Sequence, residues 1–401
     1  MNSTVSPGFV MTKDVRPAQH AHVKHPLNIH KDYFIVSIDF GYGYIKAVNE
    51  RGERIIFRAM AAPAHERDIQ QWGGAAEQKQ VGMPIVEHSI MDDLHVTITC
   101  GEGAGQTVEE LFVGQLALQS KDAAFTLSKD KIDHPNTRAF LGTALSYLTQ
   151  GNTKPICVVT TLPYDYYDEQ KEKFAAYLHR LQLQVQHHSN KYKYIHTLCE
   201  IDRALIYKQG SVCMFSYLMD LNLKPKRPTL MKSGYKIAIV NMGYHTVDVT
   251  TFSPLATGIE IDKNLSFTLD ENVGMYELRK SAELSFYEQT GTHLALQRIE
   301  NILSNKNGKE RFKNQEIDIM PAFEAEKKPL VQRLMQQLDS RFGAEKDFLY
   351  SVVFSGGGAI DCKSYLESYH HNVEFSENGQ YDDAIGALIK AKLELVMENR
   401  K

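Results

Sequence analysis

Four short apolar runs stand out along the chain: "FIVSIDF" from Phe34, "PICVVTTLP" from Pro155, "KIAIVNMG" from Lys236 and "FLYSVVFSGGG" from Phe348. They are rich in β-branched side chains and are closed by glycine or proline, which predicts strands buried on both faces. "HVTITC" (His95 to Cys100) reads as a further strand. Elsewhere the apolar period becomes helical. Phe140, Leu141, Leu145 and Leu148 share one face of "NTRAFLGTALSYLTQ". Phe174, Leu178 and Leu181 do so in the next segment, and Ile385, Leu388, Ile389 and Leu393 near the end. "KYIHTLCEIDRALIYKQG" reads as a short strand and then a helix, and a long helical region begins near Gly274. Strands alternating with helices predict an α/β protein.

A length of 401 residues suits two domains. The proline-rich, basic stretch "LKPKRPTLMKSG" (Leu223 to Gly234) is the expected boundary. The predicted organisation is a first domain over 32–222, a second over 223–375, and a C-terminal helix over 376–401 that closes back on the first. Residues 1–31 lack periodicity and carry His20, His22, His25 and His30 among prolines, so they read as a flexible leader. "NKNGKERFKNQ" and "EAEKKP" read as solvated loops or helix ends.

Charge narrows the function. The net charge of -4 argues against a chain that wraps nucleic acid by itself. No apolar run is long enough to span a bilayer, and the N-terminal residues lack the apolar core of a signal peptide. Cys100, Cys157, Cys199, Cys213 and Cys362 are scattered and odd in number, as expected of reduced thiols in a cytoplasmic protein.

The first apolar run has an uncommon sequel. Asp39 ends it, Gly41-Tyr42-Gly43 follows, and a strand resumes at Ile45, Ala47 and Val48 around Lys46. The third run repeats the logic with Asn241, Gly243 and a strand resuming at Val247 and Val249. A glycine turn offers backbone N–H groups that suit phosphate oxygens. Two such turns facing each other could grip a triphosphate. A carboxylate at the strand end suits hydrated Mg²⁺, and Lys46 supplies a point charge near phosphates. The fourth run enters Gly356-Gly357-Gly358 and then a helix, where backbone can approach a flat ring closely. A lone Gly-x-Gly turn is more often a plain hairpin; the three elements together, in this order, are specific.

The set resembles the actin, Hsp70 and sugar-kinase ATPase superfamily, with phosphate loops at "IDFGYGYIK" and "VNMGYHTVD" and an adenosine loop at "FSGGGAI". "DFGYGYIKAV" and "VVTTLPYDYYDEQKEKF" are similar to the ParM/StbA-type bacterial and archaeal actins. The resemblance runs from about residue 33 to the end. It implies an actin-like fold of two RNase-H-like domains with nucleotide in the cleft between them. It also implies ATP hydrolysis with Mg²⁺, with GTP left open, and self-assembly into filaments for plasmid segregation. The implied partner is a DNA-bound, ParR-like adaptor, with no direct contact to nucleic acid or membrane. By motif order, Gly41, Tyr42, Gly43, Tyr44 and Lys46 match the first phosphate loop, with Asp39 on the metal through water. Asn241, Gly243, Tyr244, His245 and Thr246 match the second, and Gly356, Gly357 and Gly358 the adenosine site. Asn241 and Asp248 are weaker metal candidates. Glu200, on the helix expected to connect the domains, matches the carboxylate that orients the attacking water, with Asp202 as its rival.

Asn241 departs from the Asp that the family usually carries. Its amide keeps the shape and loses the charge, which predicts slower hydrolysis or a metal held more by Asp39. Two other readings stay open: a small-molecule kinase of the same superfamily, and a nucleotide-binding scaffold that does not hydrolyse.

Overall fold

A computed structural model describes residues 32–65, 90–101, 106–125, 132, 134, 136–163, 166–188, 196–269 and 272–399. The leader expected over 1–31 lies outside the described residues. Phe34–Phe40 (β1), Tyr44–Asn49 (β2) and Arg54–Arg58 (β3) form an antiparallel meander, and Met60–Pro63 (β4) leaves it for the opposite end of the sheet. Leu94–Cys100 (β5), Thr107–Val113 (β6) and Ala124–Phe125 (β7) follow, then helix Thr137–Leu148 (α1). Ile156–Leu162 (β8), helix Tyr167–Leu178 (α2), Gln182–His187 (β9) and the long strand His196–Lys208 (β10) complete a ten-stranded sheet. Its order is β3-β2-β1-β8-β10-β9-β5-β6-β4-β7. The apolar runs predicted as strands behave as such: every residue of β1 and of β8 is buried.

The helix expected in "EIDRALIYKQG" is absent, because that stretch continues β10. Its first half pairs antiparallel with β9 and its second half parallel with β8. From Ile201 to Lys208 the parallel ladder with β8 takes up its backbone groups, and this outweighs the helix propensity of Leu, Ala and Arg.

After helix Cys213–Leu218 (α3) the second sheet begins. Ile237–Met242 (β11), Val247–Leu255 (β12) and Gly258–Leu269 (β13) form a meander. Helices Tyr276–Thr290 (α4) and Leu296–Asn305 (α5) follow. The charged "NKNGKERFKNQ" is not a loop: it holds a hairpin of Lys309–Phe312 (β14) and Gln315–Asp318 (β15), with Asn307, Lys313 and Asn314 at positive φ. "EAEKKP" lies inside helix Met320–Phe342 (α6). Ser351–Ser355 (β16), Gly356–Asp361 (α7), Lys363–Leu366 (α8) and Val373–Phe375 (β17) lead to the last helix, Asp382–Glu398 (α9). The sheet order is β13-β12-β11-β16-β17.

The chain crosses between the sheets twice. Met214, Tyr217 and Leu218 of α3 pack against Ile237, Ile239 and Phe252 of the second sheet. Ile385, Leu388 and Ile389 of α9 pack against Ile35, Cys157 and Val159 of the first. The first crossing begins near Gly210, ahead of the boundary expected at 223. Where α9 crosses α3, a Cβ on Gly386 would run into the Val212 carbonyl. Among the described residues no helix is long and apolar enough to cross a membrane.

Candidate functional site

The two glycine hairpins have the same construction. In each, an apolar strand turns at glycine and returns antiparallel, with β1 against β2 and β11 against β12. A Cβ on Gly41 would stand 2.7 Å from the Tyr44 carbonyl, and one on Gly243 would stand 2.8 Å from that of Thr246. Glycine is therefore a requirement of the turns themselves, before any ligand is considered.

The hairpins also meet. The rings of Tyr42 and His245 lie edge to face, 5.0 Å between centroids. A Cβ on Gly43 would come within 2.9 Å of the Tyr244 ring. Gly274 fits under the second turn, whose Tyr244 carbonyl accepts from the Tyr276 N–H at 2.8 Å. Tyr42, Gly43, Tyr44, Tyr244, His245 and Thr246 thus belong to one pair of facing turns.

Below the turns lies a buried polar floor at the carboxyl ends of β1 and β11. Asp39 is 3% exposed and receives the Lys46 ammonium at 2.9 Å, directly across the strand pair. Lys46 is therefore an ion-pair partner of Asp39, and not an unpaired charge. Asn241 donates from Nδ2 to Asp383 Oδ2 at 2.7 Å. The Gly210 N–H donates to Asp383 Oδ1 at 2.7 Å, and the Cys213 thiol points to the same oxygen. Asp383 is fully enclosed, and its carboxyl is pushed up to about 6, by burial first and by the nearby Asp39 carboxylate second. Asp248, opposite Asn241 on β12, accepts from the Thr268 hydroxyl at 2.7 Å, and its Cβ leaves room at Gly210 only for hydrogen. Two neighbouring carboxylates, one of them paired with Lys46, form a donor set that suits a hydrated divalent cation.

The three glycines after β16 are the first turn of α7. Gly356 has φ +85, and a Cβ there would meet the Met242 carbonyl at 2.5 Å. A Cβ on Gly358 would collide with Met275 and Met242. The fold itself requires both. Gly357 would meet only the end of the Gln380 side chain, at 3.0 Å, so it alone leaves its glycine to be explained by a ligand.

Glu200 does not join this site. It is exposed on β10, paired with Gln182 of β9 and adjacent to Ile201, which is level with Ile156 and Phe34. Asp39 is five residues further along β1 than Phe34, roughly 16 Å at strand rise. Asp202 is also at that far end, where it accepts from the Tyr33 hydroxyl at 3.0 Å. Both assignments rested on a helix that is a strand. The end of β10 reaches the floor instead, through Gln209 and Gly210. Gln209 is half-buried, with its N–H held by the Leu162 carbonyl at 2.8 Å. Sequence reading missed Gln209, Gly210 and Asp383. A signal was present in "YKQGS" and "DDAIGALIKA": glycine after a strand, and an acidic pair before a run of small and apolar residues.

A second buried cluster flanks the turns. Glu300 of α5 is 1% exposed and accepts from Arg58 of β3 and Arg279 of α4, each at 2.9 Å, and from the Tyr244 hydroxyl at 2.8 Å. Burial alone would raise its carboxyl, yet Arg279 and Arg58 prevail and hold it below the usual range. Gln297 and Asn301 of α5 donate to the Leu118 carbonyl beside the first sheet. This ties α5 to the segment between β6 and β7 of the first sheet.

A family model described as "Actin like proteins N terminal domain" matches residues 37–211, and one described as "Archaeal actin homologue MreB-like, C-terminal" matches 239–368. No curated protein sequence matches significantly. Among solved structures, the pCBH ParM non-polymerisable quadruple mutant is 22% identical, with TM-score 0.74 over 90% of this chain and 100% of that one. A chain of the 15-stranded ParM filament from Clostridium botulinum is 22% identical, with TM-score 0.73 over 90% and 99%. An archaeal actin homologue in complex with ADP is 18% identical, with TM-score 0.64 over 90% and 99%. The chain belongs to the actin-like proteins, with the two-sheet fold of the ParM filament subunits.

Proposed function

We propose that this chain is an actin-like ATPase that assembles into filaments when it binds nucleotide, and that the filaments segregate plasmid DNA. The observation that carries the reading is the contact of the two glycine turns, with Tyr42 edge to face against His245, above a buried carboxylate floor. The solved filament of a ParM and the ADP complex of an archaeal homologue support it from outside the chain.

In this reading the backbone of Gly41 to Tyr44 and of Gly243 to Thr246 binds the phosphates, and Gly357 borders the adenosine. Asp39, with Asp383 beside it, would hold hydrated Mg²⁺. The ion, when bound, neutralises charge on the phosphate oxygens. Gln209 replaces Glu200 as the candidate to orient the attacking water, because its strand end adjoins the Gly210–Asp383 contact. Asn241 holds Asp383 in place. The mildly acidic chain would reach DNA through a bound adaptor. ATP and GTP remain to be compared.

The test is sedimentation and electron microscopy of the purified chain with each Mg-nucleotide, with phosphate release followed on the same samples. Filaments that appear with triphosphate and shorten as phosphate is released support the proposal. Phosphate release that requires an added metabolite, with no sedimenting polymer at any protein concentration, overturns it in favour of the kinase reading.

A further inference from the structure

We propose that His95, Glu110 and His188 form a binding site for a divalent transition-metal ion of the zinc type, separate from the nucleotide site. The three side chains come from adjacent strands of the first sheet. His95 is on β5, Glu110 on β6, and His188 directly follows β9, with its N–H on the His95 carbonyl at 2.8 Å. Register puts them on one face. His187 is level with Val96, so His188 is level with His95, while Glu110 is level with Thr97. The opposite face of β5 carries Leu94, Val96 and Ile98 into the core. One ligand atom from each of the three lies within 4.8 Å of the others. Tetrahedral zinc sites separate their ligand atoms by roughly 3.3 Å, so small side-chain rotations suffice.

The surroundings fit this role. His95 Nε2 already faces Glu110 Oε1 at 2.7 Å, so an ion would take the place of the shared proton. The His95 ring packs edge-on to Phe112, 4.9 Å between centroids, and tilts against the His188 ring at 4.7 Å. Thr97 Oγ1 meets His188 Nε2 at 2.7 Å and holds that ring. Two imidazoles and one carboxylate favour zinc-like ions over Mg²⁺, which prefers oxygen donors. The bound ion would staple β5, β6 and the end of β9 into one rigid patch.

The full chain, free of nucleotide, is titrated with Zn²⁺ by calorimetry near pH 7.5, alongside Glu110→Gln and His188→Ala. The expected result is one more tight equivalent in the wild type than in either variant, or a loss of affinity of at least ~100-fold at that site. Glu110 is exposed and Gln keeps its size, so Glu110→Gln decides the matter if His188→Ala fails to fold. The leader histidines are controlled by a His20, His22, His25 and His30 to Ala variant, which should keep the equivalent. Equal stoichiometry and affinity in wild type and Glu110→Gln overturns the site. So does displacement of the zinc by millimolar Mg²⁺.

Discussion

The Asn241 amide donates to the Asp383 carboxylate at 2.7 Å, joining the end of β11 to the first turn of α9. The residue that departs from the family pattern is therefore bound to a second carboxylate which the family pattern did not predict. An Asp at 241 would set two negative groups against each other in a buried position, with Asp39 close by. Asn241→Asp should destabilise the nucleotide-free chain by about 2–4 kcal/mol near pH 8, chiefly through the loss of a buried partner. Mg²⁺ should restore part of that. Urea unfolding with and without Mg²⁺ measures it, and an unchanged midpoint would show that 241 and 383 do not interact.

The pH dependence of Asp383 follows from its raised carboxyl. In the window from about 4 to about 6, the folded protein holds a proton that the unfolded chain has released. Stability from this group is thus present at low pH and lost as pH rises through 6, by at most about 3 kcal/mol. His187 acts oppositely: burial lowers it to about 4, so its share is lost as pH falls below about 6.5. The difference between wild type and Asp383→Asn isolates the first effect. The variant should gain relative stability between pH 5 and pH 7.5. A difference that is flat with pH contradicts the raised carboxyl.

The glycines of "SGGGAI" should separate into two kinds. Gly356→Ala meets a backbone carbonyl at positive φ and should lower the melting temperature by several degrees, with nucleotide absent. Gly357→Val displaces only Gln380, so it should fold normally and lose nucleotide affinity. Thermal unfolding of both variants checks this. Equal thermal losses would mean that Gly357 is also structural.

Glu300 carries two arginines and a tyrosine in a buried site. Glu300→Gln leaves both guanidinium groups short of charge and should cost about 3–5 kcal/mol. Because Tyr244 belongs to the second turn, the variant should also bind nucleotide more weakly than its stability loss alone explains. Denaturant melts and nucleotide titration of the same sample separate the two effects.

Much of this was legible in the sequence. β1, β8, β11 and β16 announce themselves because strands buried on both faces are mostly apolar and β-branched, and glycine or proline closes the runs. The paired turns were visible for the same reason. β10 was hidden, since "EIDRALIYK" mixes helix formers with charge, and only its two neighbouring strands fix it as a strand. Glu200 was misplaced with it. The acidic pair in "DDAIGALIKA" marked Asp383 as unusual, but its role depends on α9 folding back over a chain separation of 173 residues to meet Gly210, which local pattern does not reveal.

The most direct test of the central claim is calorimetric titration of ATP into wild type and Asp39→Asn, each with and without Mg²⁺. The account predicts tight, Mg²⁺-dependent binding to the wild type. It predicts that Asp39→Asn remains folded and loses most of the Mg²⁺ dependence. Wild-type binding that is absent, or identical Mg²⁺ dependence in the variant, would contradict a nucleotide–metal site built on the facing turns.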